Sequence, residues 1–289
     1  MRLYIMQVQV LFFILILKSI FIMKGYNCKP SLEIRYMKEF LKSFIRNCLN
    51  RIHLDLTMNL KYDRLTKAII SRTVRSDTVC IDIGAHIGEI LDLFIQHAPK
   101  AMHFAFEPIP ELYQNLSKKY SNNCKVFPYA LSDIDGETGF QYVKNAPAYS
   151  GIKKRSYDIK DPDIVELKVQ LKTLDSVIPE DIKVGFIKID VEGAEFLVLK
   201  GALNILKRDQ PFVIFECGLG ASDYYGTMPE EVFDFFQNET TLKISLLDDW
   251  IKNKKPLSRQ QFCECYDTNS EYYFLAHPNS NDSMYPFAD

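Results

Sequence analysis

The chain of 289 residues is long enough for one large domain with extensions, and its 47% hydrophobic content can fill a substantial core. Its 35 basic and 37 acidic side chains nearly cancel, so there is no bulk positive field to draw in nucleic acid or polyphosphate. The seven scattered cysteines, an odd number without a CxxC pair, argue against a disulfide framework or a zinc-ligand pattern and suit a reducing compartment.

Residues 3–23, LYIMQVQVLFFILILKSIFIM, reach the length of a bilayer-spanning helix but are interrupted by Gln7, Gln9 and Lys18. No small-x-small cleavage site follows, which disfavours a cleaved signal peptide. An uncleaved membrane anchor, a buried helix and translation from Met37 all stay open. If the segment inserts, Lys18, Lys24, Lys29, Arg35, Lys38 and Lys42 outweigh Arg2 and place the remainder in the cytoplasm.

Met37 to Asn50 carries Met37, Phe40, Leu41, Phe44, Ile45 and Leu49 at helical spacing, and a second helix is predicted over 62–74. Strand-like runs follow at 79–83, 102–107, 125–129, 184–190 and 212–216, separated by helical stretches near 87–97, 109–119 and 195–207. This alternation predicts an α/β fold with a mostly parallel, doubly wound sheet. Between 138 and 172 the pattern changes to antiparallel strands, inserted where they would cover the ligand edge of the sheet. Two further strands are expected at 241–248 and 271–278, joined by a polar loop holding Trp250. The resulting division is a hydrophobic segment 1–36, a helical extension 37–75, a main domain 76–280 and a tail 281–289.

The stretch VCIDIGAHIG at 79–88 ends the first strong strand, where ligands of open parallel sheets bind. Gly84 and Gly88 suit a tight turn or close backbone approach, and Asp82 ends the strand with an acceptor facing the crevice. Counted from Gly84, a dinucleotide fingerprint needs glycines at 86 and 89, where His86 and Glu89 stand; no Gly-Lys-Ser/Thr follows either. Glu107, 25 residues after Asp82, ends the second strand where a carboxylate accepts from both ribose hydroxyls of an adenosine. An adenosine without phosphates but with a cationic end, such as S-adenosylmethionine, fits this pair.

The motifs DIGAHIG (82–88), FEP (106–108), ALSD (130–133), TLD (173–175) and IKIDVEGAE (187–195) occur in the order and spacing of one family. Over roughly 62–278 the chain resembles the FkbM family of S-adenosylmethionine-dependent methyltransferases. The resemblance implies a Rossmann-like, seven-stranded methyltransferase sheet that methylates hydroxyl groups on sugars, glycans and natural products. It further implies that Asp82, Gly84, Ala85 and Gly88 form the cofactor turn and that Glu107, followed by Pro108, holds the ribose. Ala130, Leu131 and Ser132 would lie against the adenine, with Asp133 toward its amino group, and Asp190 beside the methyl group. His86 departs from the family pattern, which has asparagine there.

Methyl transfer from a sulfonium is an in-line displacement, so holding acceptor oxygen, methyl carbon and sulfur in line in a dry pocket supplies most of the catalysis. An alcohol acceptor must still lose its proton, and Asp190, Glu192, His86 and Glu216 are the candidates to take it. Asp190 and Glu192 point the same way if extended geometry persists, with Gly193 giving room for a ligand. They could also bind a divalent cation such as magnesium, although no ligand pattern indicates a metal. The plainer alternatives are that Asp190 caps the following helix, Glu192 and Glu195 favour its positive end, and Glu216 is a structural partner. His53, His97, His103 and His277 have no partners at ligand spacing; Lys153, Lys154 and Arg155 read as a solvated loop rather than a grip on an anionic acceptor. The aromatic run 263–274 could line an acceptor pocket, but aromatic residues at alternate strand positions more often pack the sheet. Methylation of nucleic-acid bases is disfavoured because DVEG stands where an Asn/Asp-Pro-Pro-aromatic segment would be needed. The remaining alternative is a non-catalytic protein that keeps the fold as a scaffold.

Overall fold

The computed structural model describes residues 57–157 and 159–279. The expected segment 3–23, the helix at 37–50, His53 and the tail 281–289 lie outside the described residues. Among the described residues no helix is long and apolar enough to cross a membrane.

Helix α1 (Met58–Thr73) starts four residues before the apolar pattern does, because the Thr57 hydroxyl accepts the Leu60 N–H at 3.3 Å and caps it. Its buried face, Tyr62, Leu65, Ile69 and Ile70, belongs to the same core as the first strand. There follow β1 (Val79–Ile83), α2 (Glu89–His97), β2 (His103–Phe106), α3 (Pro110–Lys119), β3 (Cys124–Phe127) and β4 (Tyr129–Leu131). The long strand expected at 125–129 is divided at Pro128, which has no N–H to donate to a ladder. β4 turns away to a second sheet, with β5 (Gly136–Val143) and β6 (Ile164–Lys172), in the order β4-β6-β5. β5 and β6 pair antiparallel, as expected from 138–172, while β4 pairs with β6 in parallel.

The short helix α4 (Leu174–Val177) leads to β7 (Val184–Ile189), and the single helix expected at 195–207 is two, α5 (Glu195–Lys200) and α6 (Leu203–Asp209). They part at Gly201, where a Cβ would stand 2.0 Å from the Ser132 carbonyl oxygen. After β8 (Phe212–Glu216) come α7 (Pro229–Glu239), β9 (Lys243–Leu246), α8 (Leu247–Ile251), α9 (Arg259–Thr268) and β10 (Tyr273–His277). The polar loop expected between the last two strands is instead α8 and α9. Trp250 packs edge-on against Phe212 at 5.6 Å, and Ser258 with Gln261 forms a reciprocal capping box that starts α9. Half of the aromatic run 263–274 is therefore helical rather than strand.

The main sheet has the order β3-β2-β1-β7-β8-β10-β9, parallel throughout except for β10, which runs antiparallel to both its neighbours. Order reverses between β1 and β7, the position at whose strand ends open parallel sheets bind their ligands. One face packs Ile81, Phe104, Ile187 and Val213 under α5, α6 and α7. The other packs Cys80, Ala105, Phe186, Ile214 and Leu275 under α1 and α2.

Candidate active site

Strand side chains alternate between faces, so the residue two beyond each apolar position on the α1/α2 face lies further along the same row. That row runs Cys80 to Asp82 on β1, Phe186 to Lys188 on β7, Ile214 to Glu216 on β8, and Leu275 back to Tyr273 on the reversed β10. Asp82 is registered with Lys188 and Glu216 with Tyr273. At the carboxyl end, then, the apolar floor gives way to a band of polar and ionisable groups contributed by four strands.

Asp82 is 2% exposed, and among the described residues its Oδ2 has no hydrogen-bond partner. Burial pushes its carboxyl up to about 7; Lys188 pulls it down and the nearby Asp190 charge pushes it up. Glu107 immediately follows β2 and is 4% exposed. Its Oε2 accepts the His86 N–H at 2.8 Å and its Oε1 the Ile109 N–H at 2.9 Å, leaving each oxygen one further lone pair. Burial raises Glu107 to about 7, the two N–H donors lower it, and the charge of Asp82 raises it, so the two carboxylates share one electrostatic environment.

Three residues of the turn have left-handed backbone: Gly84 at φ 79°, His86 at 49° and Gly88 at 84°. A Cβ on Gly84 would sit 1.9 Å from the Asp190 carbonyl oxygen, and one on Gly88 would sit 2.5 Å from the Tyr120 hydroxyl. Both glycines thus serve close approach within the protein itself. Histidine is among the non-glycine residues enriched in the left-handed region, which suits His86 to this turn. Ala85 is buried beside this turn, and Pro108 is half-buried just beyond Glu107.

Ala130, Leu131 and Ser132 are buried at the end of β4. Asp133 pairs with Lys200 at 3.1 Å and accepts from Ser132 Oγ at 3.2 Å. Asp190 follows β7, and its Oδ2 accepts from Lys188 Nζ at 2.9 Å and the Tyr273 hydroxyl at 2.6 Å. Burial opposes its ionisation, but Lys188 and the Tyr273 hydrogen bond together hold it below the usual carboxylate range.

The extended geometry expected from Asp190 to Glu192 does not persist, because Glu192 adopts φ 60°. Its carboxylate pairs with Arg155. The space at Gly193 (φ 109°) is taken by the Ala221 carbonyl, 2.4 Å from where a Cβ would be. Arg155, expected in a solvated loop, has a side chain only 10% exposed. Its loop bridges from β5 toward Glu192 and the 218–226 loop: Arg155 donates to the Gly220 carbonyl at 3.3 Å, and the Lys153 N–H to the Tyr225 hydroxyl at 3.0 Å.

Sequence reasoning passed over Lys188, weighed Tyr273 only as part of the aromatic run 263–274, and gave Glu195 only a helix-end role. Glu195 is 1% exposed; its Oε1 accepts the Val191 and Gly193 N–H groups at 2.9 and 3.1 Å. Burial raises Glu195, and raises Glu216 well above its ordinary value, with the Asp190 charge adding to both. His103 and His277 are buried and shifted down by burial, which keeps them neutral in the core. A shallow cavity of about 500 Å³ lies instead on the β5–β6 hairpin, lined by Glu137, Gly139 and Lys168, and contains none of these groups.

The sequence matches the family model described as "Methyltransferase FkbM domain" over residues 82–241, which includes Asp82, Glu107, Lys188, Asp190 and Glu216. It is 30% identical over 158 residues to the methyltransferase sdnD of Sordaria araneosa, covering 44% of this chain and 61% of that protein. It is 31% identical over 159 residues to the hexuronic acid methyltransferase AglP of Haloferax volcanii, covering 53% and 61%. With the 2-O-methyltransferase NoeI of Sinorhizobium fredii it shares 24% identity over 188 residues, covering 60% and 77%. The match thus spans about three fifths of the Sordaria and Haloferax proteins.

Proposed function

This chain belongs to the FkbM methyltransferase family, and from that premise we propose that it moves a methyl group from S-adenosylmethionine to a hydroxyl oxygen of a sugar, glycan or related natural product. The single observation that carries this reading is the buried, unpartnered Asp82 Oδ2 beside Glu107 at the switch point of the sheet. A buried carboxylate oxygen without a donor calls for a cationic or hydrogen-bonding ligand. The names of NoeI and AglP, a 2-O-methyltransferase and a hexuronic acid methyltransferase, support a carbohydrate hydroxyl as acceptor.

When bound, S-adenosylmethionine supplies an electrophilic methyl group on a sulfonium. Glu107 offers its remaining lone pairs to the ribose hydroxyls, and Asp82 faces the cationic end of the molecule. Gly84, Ala85, Gly88 and Pro108 shape the turn around it. Ala130, Leu131 and Ser132 line the adenine end, with Asp133 at its rim. Asp190, kept ionised by Lys188 and Tyr273, accepts the acceptor hydroxyl's proton as the new bond forms. Glu192, tied to Arg155, and His86 shape the walls on either side. In this reading the domain faces the cytoplasm, with any membrane tether in residues 3–23.

The test is incubation of the purified chain with methyl-labelled S-adenosylmethionine and a panel of oligosaccharides, scoring alkali-stable label, since ethers survive where esters do not. Asp190→Asn should reduce turnover by roughly 10²–10⁴-fold while leaving cofactor affinity nearly unchanged. Equal turnover of variant and wild type would remove Asp190 from the reaction.

A further inference from the structure

Three carboxylates converge from three separate elements. Asp190 follows β7, Glu195 opens α5 and Glu216 closes β8, and one oxygen from each lies within 4.8 Å of the others. Oxygens that surround a hard divalent cation at about 2.0–2.6 Å stand roughly 3–5 Å from one another, so the spacing is that of a ligand set. Clustering alone would not suffice, since buried carboxylates can share protons.

A second observation is independent of the spacing. Glu195 Oε1 is pinned by two backbone N–H groups, while among the described residues its Oε2 is shielded from solvent and accepts no hydrogen bond. The pinned oxygen fixes the carboxylate plane, and the other is left with nothing to bind. Asp190 is similarly half-committed: Lys188 and Tyr273 both occupy Oδ2, which leaves Oδ1.

We infer that Asp190, Glu195 and Glu216 bind one hard divalent cation, whose remaining coordination positions take hydroxyl oxygens of the acceptor. The cation site stands on the three carboxylates alone; its part in acceptor binding rests on the methyl transfer proposed above. A hydroxyl held by the cation would shed its proton more readily. Two hydroxyls of one sugar ring can occupy neighbouring coordination positions, so the site favours polyhydroxylated acceptors over isolated alcohols.

The probe is Mn²⁺, followed by its electron paramagnetic resonance signal during titration into the full-length chain without nucleoside. One saturable Mn²⁺ per chain is expected. Glu216→Gln and Glu195→Gln should each weaken it about tenfold or more by removing a ligand charge, and the glutamine at 195 can still accept the two loop N–H groups. Glu239→Gln, at an exposed carboxylate paired with Lys207, should change nothing. Absence of Mn²⁺ binding at millimolar concentration, or equal affinity in wild type and both variants, overturns the site. Should one variant fail to fold, the other and the wild type decide. Adenosylhomocysteine binding measured on the same samples separates the two claims: Mn²⁺ without nucleoside keeps the cation site and removes the proposed activity, and nucleoside without Mn²⁺ does the reverse.

Discussion

Asp82 and Glu107 are held where burial makes their charged forms expensive, and a cation arriving beside them changes their proton state. Burial pushes both up to about 7. A cationic ligand lowers these values, so its binding near pH 7 expels protons. Calorimetric titrations with S-adenosylmethionine at pH 6.5–7 should therefore give heats that vary with the ionisation enthalpy of the buffer. That variation should vanish about two pH units higher, where both groups are already ionised; heats independent of buffer at both values would place the carboxylates elsewhere. Lys188 is the opposite case, a buried ammonium facing Asp82 and paired with Asp190. Lys188→Met leaves both anions uncompensated and should destabilise the fold by about 3–5 kcal/mol, measured by urea unfolding; no change would mean the pair is not buried in solution. Asp82, Glu107 and Asp190 were legible in the sequence as candidates because each stands at or just past the carboxyl end of a strand, where chemistry is expected. Lys188 and Tyr273 were not, since a lysine within GFIKID or a tyrosine within EYYF acquires meaning only from its neighbour on the next strand, and register is not written in either segment alone.

At the level of elements, the contact that builds the crevice is the passage of the β1 turn over the end of β7. Gly84 lies against the Asp190 carbonyl with no space for a Cβ, and its φ of 79° is itself costly for other residues. Gly84→Ala should lose roughly 2 kcal/mol or more of stability and most nucleoside affinity, because the turn must lift away from β7. Stability equal to wild type would show that the two elements are further apart. The parallel strands and their helices were readable from alternation and helical spacing. The C-terminal region was misread because Ser258-x-x-Gln261 is a helix start followed by Phe262 and Tyr266, a signal masked by a polar surface on α9. The β3–β4 break carried its own mark, Pro128, but which sheet β4 would join depended on β6, more than thirty residues later.

Across the whole molecule, the buried acids make stability depend on pH in a defined direction. Their unfolded values are about 3.9 for aspartate and 4.3 for glutamate, below the folded values of about 7. A raised folded value favours the protonated, folded form, so this contribution is full below pH 4 and is lost as pH rises through 7. Asp190, shifted down, adds an opposing contribution that is present above its unfolded value and lost only in acid. The melting temperature of the ligand-free chain should therefore fall between pH 5 and pH 8 and fall less with S-adenosylmethionine bound; a rise over that range in the free chain would contradict the burial that raises Asp82 and Glu107. The central claim is that this crevice grips a sulfonium-bearing nucleoside through those two carboxylates. Calorimetric titration of the full-length chain with S-adenosylmethionine tests it most directly, beside Asp82→Asn and Glu107→Ala. Saturable binding at one site, weakened by about 1–3 kcal/mol in Glu107→Ala and reduced in Asp82→Asn, is the expected result. No saturable heat in the wild type, or equal affinity in all three proteins, would contradict it.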